Sequence, residues 1–401
     1  MTPARTAAIA LAITLAIQVF TSLAATATSV LTPIIAAELA LPGKLVGVFV
    51  GIIYVGSMFG SLGSGAFIER FGAIRVSQVC VVLCAAGLAL VATVAAPPAF
   101  SLALLVCAPF IIGLGYGPIT PASSHVLIRT ARPTRMALTF SIKQTGVPAG
   151  TALAGALLPG LAVLLGWRPT FLVVAALGLA VAAAAQSTRA TFDADRRPSR
   201  PLSLDAVFAP LRAVFATPTL TQLALTGFVY AAMQVCLVSF LVIYLTETLG
   251  RSLVAAGLAL TVANVGGIVG RIGWGAVADH YVRPRTLLAL IGIAAGGCSY
   301  AAAAFAATWP GVITLTVCAL FGATAIGWNG VQLAELAKNA PPGQAATVTG
   351  AANFVTFAGV VVGPPTFALL AALAGSYGVG FAVFGSLSTV CGLWLLLVPG
   401  K

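Results

Sequence analysis

The chain has 401 residues, of which 60% are hydrophobic and only 7% charged. A soluble chain would carry about 25% charged residues to cover its surface, so this composition excludes a soluble enzyme, a disordered chain and a surface-basic nucleic-acid binder. Twenty Lys and Arg against eight Asp and Glu leave a net charge of +12, and its distribution along the chain reads as membrane topology.

A spanning helix needs about 20 mostly apolar residues. Such runs fall at residues 6–36, 44–68, 74–96, 100–128, 135–165, 168–188, 218–246, 252–278, 286–307, 310–336, 344–373 and 377–399, which predicts twelve spans. The first run is too long for the apolar core of a cleaved signal peptide and reads as a retained span. Cys80, Cys84, Cys107, Cys236, Cys298, Cys318 and Cys391 all sit in apolar stretches and read as small hydrophobes. The longest polar stretch, 189–217, divides six spans from six and reads as a cytoplasmic linker with at most short amphipathic helix.

The two halves, 1–188 and 218–401, repeat one another. At an offset of 210, Gly56, Gly60, Gly63, Gly65, Glu69 and Arg75 face Gly266, Gly270, Gly273, Gly275, Asp279 and Arg285. At an offset of 209, Arg129, Pro133 and Gly150 face Lys338, Pro342 and Gly359. Six spans is an even number, so the copies run in the same orientation, as in one class of secondary transporters.

With the N-terminus inside, the cytoplasmic segments hold fifteen Lys and Arg and the external ones three: Lys44, Arg168 and Arg251. That asymmetry predicts cytoplasmic termini and a cytoplasmic linker.

The segment Gly65-Ala66-Phe67-Ile68-Glu69-Arg70-Phe71-Gly72-Ala73-Ile74-Arg75, with its copy at Gly275 and Asp279, resembles the loop signature of the major facilitator superfamily. Glu69 stands where the family usually has Asp, and His280 where it has Arg. The resemblance implies an all-α membrane protein with twelve transmembrane helices in two parallel-repeat six-helix bundles. It also implies a latch at the cytoplasmic side, carried here by Glu69 and Asp279 with Arg70, Arg75, Arg129 and Arg285. Drug/proton antiporters of the family usually carry an Arg four residues before a Gly-x-Gly on helix four. Here Gly113-Leu114-Gly115 has Pro109 at that place, which counts against a multidrug antiporter.

Two cations remain inside spans, Lys143 on the fifth and Arg271 on the eighth. An ionised side chain there costs a few kcal/mol on insertion scales and is a functional hypothesis by default. Both lie about eight residues from the cytoplasmic end, ~12 Å deep at 1.5 Å per residue. No acid stands mid-span beside them, which points to an anion site. Arg271 replaces Ser61 of the other copy, so the charge is an addition to the frame. Gly270-Arg271-Ile272-Gly273-Trp274-Gly275 is similar to helix eight of the oxalate/formate antiporter and monocarboxylate transporter branches, whose helix-eight Arg binds the substrate carboxylate. Supporting candidates are Asn264, Asn353, Asn329, Trp328, Gln234, Tyr230, Tyr54 and Tyr116. Trp167 and Trp309 read as interfacial aromatics, and Lys143 as able to reach water with its flexible stem.

The expectation is a monomeric secondary transporter of the bacterial inner membrane. It would move a small organic anion, with a proton as a candidate coupling ion, the bilayer as its surroundings, and neither cofactor nor nucleic acid as partner. The alternative is an exporter of neutral or cationic compounds. An enzyme or a sensor fits less well: two separated histidines and no mid-membrane acid leave no reactive constellation.

Single cysteines at Ser199 and Ser376 test the topology. The expected result is no labelling at 199 by an impermeant maleimide from outside intact cells, and labelling at 376.

Overall fold

A computed structural model describes residues 2–39, 45–94, 98–199, 202 and 204–398. Of the charges counted above, Lys44, Arg200 and Lys401 lie outside the described residues. Among the described residues every regular element is a helix. Twelve are long and apolar enough to cross a bilayer: α1 Pro3–Leu31, α2 Val48–Phe71, α3 Ala73–Ala92, α4 Val106–Thr130, α5 Pro133–Leu165, α6 Trp167–Phe192, α7 Pro218–Thr248, α8 Ala255–His280, α9 Pro284–Ala303, α10 Gly311–Asn339, α11 Ala345–Ala374 and α12 Tyr377–Leu397. All twelve predicted spans are therefore present. α6 runs four residues beyond its expected end at 188, and the linker carries a thirteen-residue helix, Leu204–Ala216.

The chain divides into two compact units that cut across the sequence halves. The first comprises Met1–Thr130, Lys143–Ala213 and Ala340–Phe354. The second comprises Ala131–Ile142, Val214–Asn339 and Val355–Lys401. In the first, α1 packs on α5, α2 on α4 and α3 on α6; in the second, α8 packs on α10 and α9 on α12. α7 meets α11 where Gly359 and Gly363 lie against the Phe228 and Ala232 backbone. The sequence repeat thus reappears as a repeat of helix pairings. Hydrophobicity does not drive helices together inside lipid, so the pairs rely on close backbone approach over small residues.

Among the described residues three spans are interrupted, α5 at Thr145 and two others. α4 breaks at Gly117–Pro118 and α10 at Ile326–Trp328, and these stretches correspond at the 209-residue offset.

The start of the linker is not a loose tether. Asp193 is 0% exposed, and its carboxylate accepts the N–H groups of Ile74 (2.8 Å) and Arg75 (3.0 Å) at the N-terminus of α3. A helix leaves its first N–H groups without internal partners, and a negative charge there also meets the positive end of the dipole. Gly72, just before α3, has φ +96°, and a Cβ at that place would collide with Asp193. Glycine is the residue that adopts such a φ without strain. Burial raises the Asp193 carboxyl above its ordinary value, against the lowering by those two N–H bonds and Arg189.

Two residues on, Asp195 Oδ2 lies 2.6 Å from Arg129 and 2.8 Å from His125 Nε2. Burial alone would raise the Asp195 carboxyl, but His125 and Arg129 outweigh it and hold it below the usual range. A depressed carboxyl contributes stability above its unfolded value, and that contribution fades as pH falls through the folded one. Arg197 N–H then donates to the Glu69 carbonyl at 2.7 Å, so the linker runs along the end of α2, α3 and α4.

Asp193→Ala is expected to lower thermal stability by about 1–2 kcal/mol, the upper range for a lost helix cap. Asp195→Asn, at a half-exposed ion pair, is expected to speed tryptic cleavage after Arg196 by roughly two- to five-fold at neutral pH. Wild-type melting in the first variant, or wild-type cleavage in the second, would show the linker to be loosely held.

Candidate functional site

Among the described residues, each unit buries one lysine or arginine. In the first, Lys143 is 1% exposed, so it does not reach water as its sequence position suggested. Its ammonium donates to Gln18 Oε1 (2.6 Å) and Gln144 Oε1 (3.0 Å), with Thr120 Oγ1 at 3.5 Å. Thr120 stands two residues past the break in α4. An ammonium offers three donors, and amide oxygens can take the place of its hydration shell.

In the second unit, Arg271 is 2% exposed, and its Nε donates to the Ile326 carbonyl at 3.1 Å, at the break in α10. A bond from Nε sets the plane of a guanidinium whose donors form a rigid fork. Trp274, one turn further along α8, donates Nε1 to the Ala323 carbonyl at 2.7 Å. Trp328, within the break, donates Nε1 to Ala325 O (3.1 Å) and to Gln234 Oε1 (3.2 Å). Tyr230 meets Trp328 edge to face at 5.6 Å. Asn329 begins the resumed helix, and its Oδ1 is buried with no hydrogen-bond partner among the described residues.

The structure thus gathers Arg271, Ile326, Trp328 and Gln234 into one neighbourhood. Other candidates are placed differently. Tyr230 is buried with its hydroxyl on the Leu288 carbonyl (3.0 Å), which makes it a packing group toward α9. Asn264 turns back on its own helix, to the Leu260 carbonyl at 2.9 Å. Asn353 is buried in the first unit, where Tyr54 and Tyr116 are half-buried. Trp167 is 2% exposed and donates to Glu38 at 2.6 Å, so it is no lipid-facing belt residue. Arg168 also binds Glu38, and the bonds from Arg168 and Trp167 hold that carboxyl below its ordinary range. Trp309, half-buried, packs against Phe305.

The signature residues form two sets of contacts. In the second unit, Asp279 at the end of α8 accepts the N–H groups of Ala137 (2.9 Å) and Leu138 (2.8 Å) near the start of α5. Gly275 and Gly330 lie against Ser141 there, at a spacing that a Cβ on either would violate. In the first unit, Glu69 accepts the Thr347 hydroxyl at 3.0 Å, Gly65 packs on Thr347, and Ser61 Oγ donates to the Gly350 carbonyl (3.1 Å). Arg70 lies over the Phe71 ring, while Arg75 lends its backbone N–H to Asp193. Arg129 pairs with Asp195. Arg285 departs from the latch expected of it: it binds the Leu395 and Val398 carbonyls at the end of α12 and the Gln222 side chain. That is a C-terminal helix cap, a role suited to a cation.

Sequence reasoning missed Gln18, Gln144 and Thr120 around Lys143, and Trp274 beside Arg271. Trp274 carried a readable signal, since it falls three residues after Arg271 and so on the same helical face. Among the described residues, no three His, Cys, Asp or Glu side chains are grouped to hold a metal.

Twelve spans, a duplicated six-helix plan and polar side chains buried within the spans define a polytopic membrane transporter. The family model of the Major Facilitator Superfamily matches residues 14–364, and the chain belongs to that family. It is a secondary transporter and not an enzyme. A search of curated proteins returns no significant match. Among solved structures, the Escherichia coli fucose:proton symporter matches with TM-score 0.77 and 16% identity, over 99% of this chain and 100% of that one. A human organic anion transporter matches with TM-score 0.76 and 16% identity, over 98% and 100%. A bacterial homologue of the iron transporter ferroportin, in an outward-facing state, matches with TM-score 0.73 and 15% identity, over 96% and 97%. At such identities the likeness is one of fold.

Asp279 satisfies two backbone N–H groups of α5, whereas Glu69 meets a side-chain hydroxyl. Asp279→Asn is therefore expected to speed hydrogen exchange at Ala137 and Leu138 by about tenfold, as for one charge-assisted bond lost. Unchanged exchange there would show that the carboxylate does not hold α5.

Proposed function

We propose that this chain moves a small organic anion, a carboxylate, across a bacterial inner membrane by alternating access, with both termini and the linker in the cytoplasm. The observation that carries the reading is Arg271, an arginine buried within a span and oriented through Nε by the Ile326 carbonyl. A guanidinium can hold a carboxylate by two parallel hydrogen bonds, and in a dry setting such a pair is stronger than in water. Lys143 supplies a second buried basic group in the other unit, cradled by the amide oxygens of Gln18 and Gln144.

The placement of the acids supports the same reading. Glu38 is engaged by Trp167, Asp193 by α3, Asp195 by Arg129, Glu247 by Tyr377 and Asp279 by α5. Negative charge is spent at helix ends, and the buried cations favour an incoming anion. Movement is either exchange of one anion for another or anion with proton. Glu69 and Asp279 act as the latch, since each holds the start of a helix from the other sequence half.

The test is anion uptake in proteoliposomes, with binding followed separately by calorimetry. Arg271→Ala is expected to lose about 2–5 kcal/mol of anion binding, the range for truncating one partner of a buried charge pair. Arg271→Lys is expected to fail as well, because an ammonium does not reproduce the two-pronged contact. Lys143→Met is expected to lower uptake too, leaving Gln18 and Gln144 without their donor. Unchanged anion affinity in Arg271→Ala would replace this reading with an exporter of neutral or cationic compounds.

A further inference from the structure

The breaks in α4 and α10 correspond in the repeat but have different causes. In α4 the break falls on Pro118, which has no N–H to offer the helical ladder, so the interruption is built into the covalent chain. Its counterpart in α10 is Gly327, which does carry an N–H, and no proline occurs between Gly311 and Asn339. Below the break the ladder still runs as Ile326 N–H to Gly322 O (2.9 Å), and above it as Gln332 N–H to Trp328 O (3.2 Å). Between them, three carbonyls are taken by side chains: Ala323 by Trp274 (2.7 Å), Ala325 by Trp328 (3.1 Å) and Ile326 by Arg271 (3.1 Å).

Two of those donors stand one turn apart on α8, and glycines bring α8 to the break. A Cβ on Gly270 would collide with Ala323, and one on Gly327 would come within 3.0 Å of the Trp274 ring and 3.1 Å of the Gly270 backbone. The first unit is built differently at the matching positions. In the places of Arg271 and Trp274 it has Ser61 and Ser64, whose hydroxyls bond the Gly350 carbonyl (3.1 Å) and the Ser61 carbonyl (2.6 Å).

We infer that the break in α10 is a reversible hinge, clasped open by Arg271 and Trp274, and that a carboxylate bound along the Nε edge of Arg271 releases the Ile326 carbonyl so that α10 closes. The trigger rests on the carboxylate reading of Arg271 above, whereas the clasp does not. Within lipid a released carbonyl must find another donor. The Gly330 N–H, four residues on, is the regular helical partner of Ile326 O. One hydrogen bond is exchanged for another, so the open and closed forms lie close in free energy and a ligand can tip them. Trp274 is a positioning residue: it touches the helix that moves and not the anion. α4, interrupted by proline, keeps its bend.

The experiment is hydrogen–deuterium exchange over residues 326–331 of the full chain in lipid nanodiscs, with oxalate, lactate and benzoate as probes and calorimetry to register binding. An anion that binds is expected to slow exchange in this segment by about tenfold, the effect of one hydrogen bond gained by the backbone. Trp274→Phe, which keeps a ring but loses the N–H, is expected to show slowed exchange with no anion present. The proposal is overturned if a bound anion leaves the segment unchanged, or if Trp274→Phe exchanges as the wild type does. Should none of the probes bind wild-type protein, the carboxylate reading and its trigger fall, and the Trp274→Phe exchange still decides the hinge.

Discussion

A backbone carbonyl in the middle of a bilayer has no water to accept from, and this constraint orders most of what the structure contains. It requires the spans to be helical and makes any interruption of a helix a demand for outside donors. In α10 the demand is met by an arginine and two tryptophans. The residue with the strongest claim to bind substrate is thus also one that keeps a helix open. On the proposed reading, a single guanidinium serving both purposes links what happens at the ligand to the shape of the helix.

Charge follows the same rule from the other side. Acids are confined to helix ends, where N–H groups or cations meet them: Asp193 at the start of α3, Asp279 near the start of α5, and Asp195 against His125 and Arg129. In the first two cases a carboxylate does for a neighbouring helix what a cap does for its own, and in the third it pairs with side chains near the end of α4. The cations inside the spans are held by neutral oxygens in the bonds described, with glutamine amides around Lys143 and a carbonyl on Arg271. The proposed anion site is served by that division, because an internal carboxylate would neutralise the cation and compete with an anionic cargo.

Duplication supplied the frame, and a few substitutions within it made the copies unequal. The glycines that let α2 approach α4 recur where α8 approaches α10. Upon that shared packing, Ser61 stands opposite Arg271, Ser64 opposite Trp274 and Pro118 opposite Gly327. One helix pair keeps a fixed bend and small hydroxyls. The other gains a cation, an indole donor and a bend without proline. The family match over residues 14–364 places this asymmetry on a common transporter scaffold.

Much of the fold was legible in the residues themselves, because span length, the repeat and the confinement of acids to loop ends are properties of the chain in order. Glu69 and Asp279 could be paired by offset alone, and both meet the start of another helix. Arg271 and Lys143 could be singled out because a charge within an apolar run is costly wherever the helix packs. What surrounds them could not be read so, since a partner 125 positions away, such as Gln18 for Lys143, has no marker in local sequence. Arg285 matched Arg75 by offset yet caps the end of α12, and Trp167 looked interfacial yet is buried against Glu38. Sequence determined which groups must be satisfied inside the membrane. Only the packing of helices decided which distant side chain satisfies each, because in lipid that choice depends on which backbones small residues allow to touch.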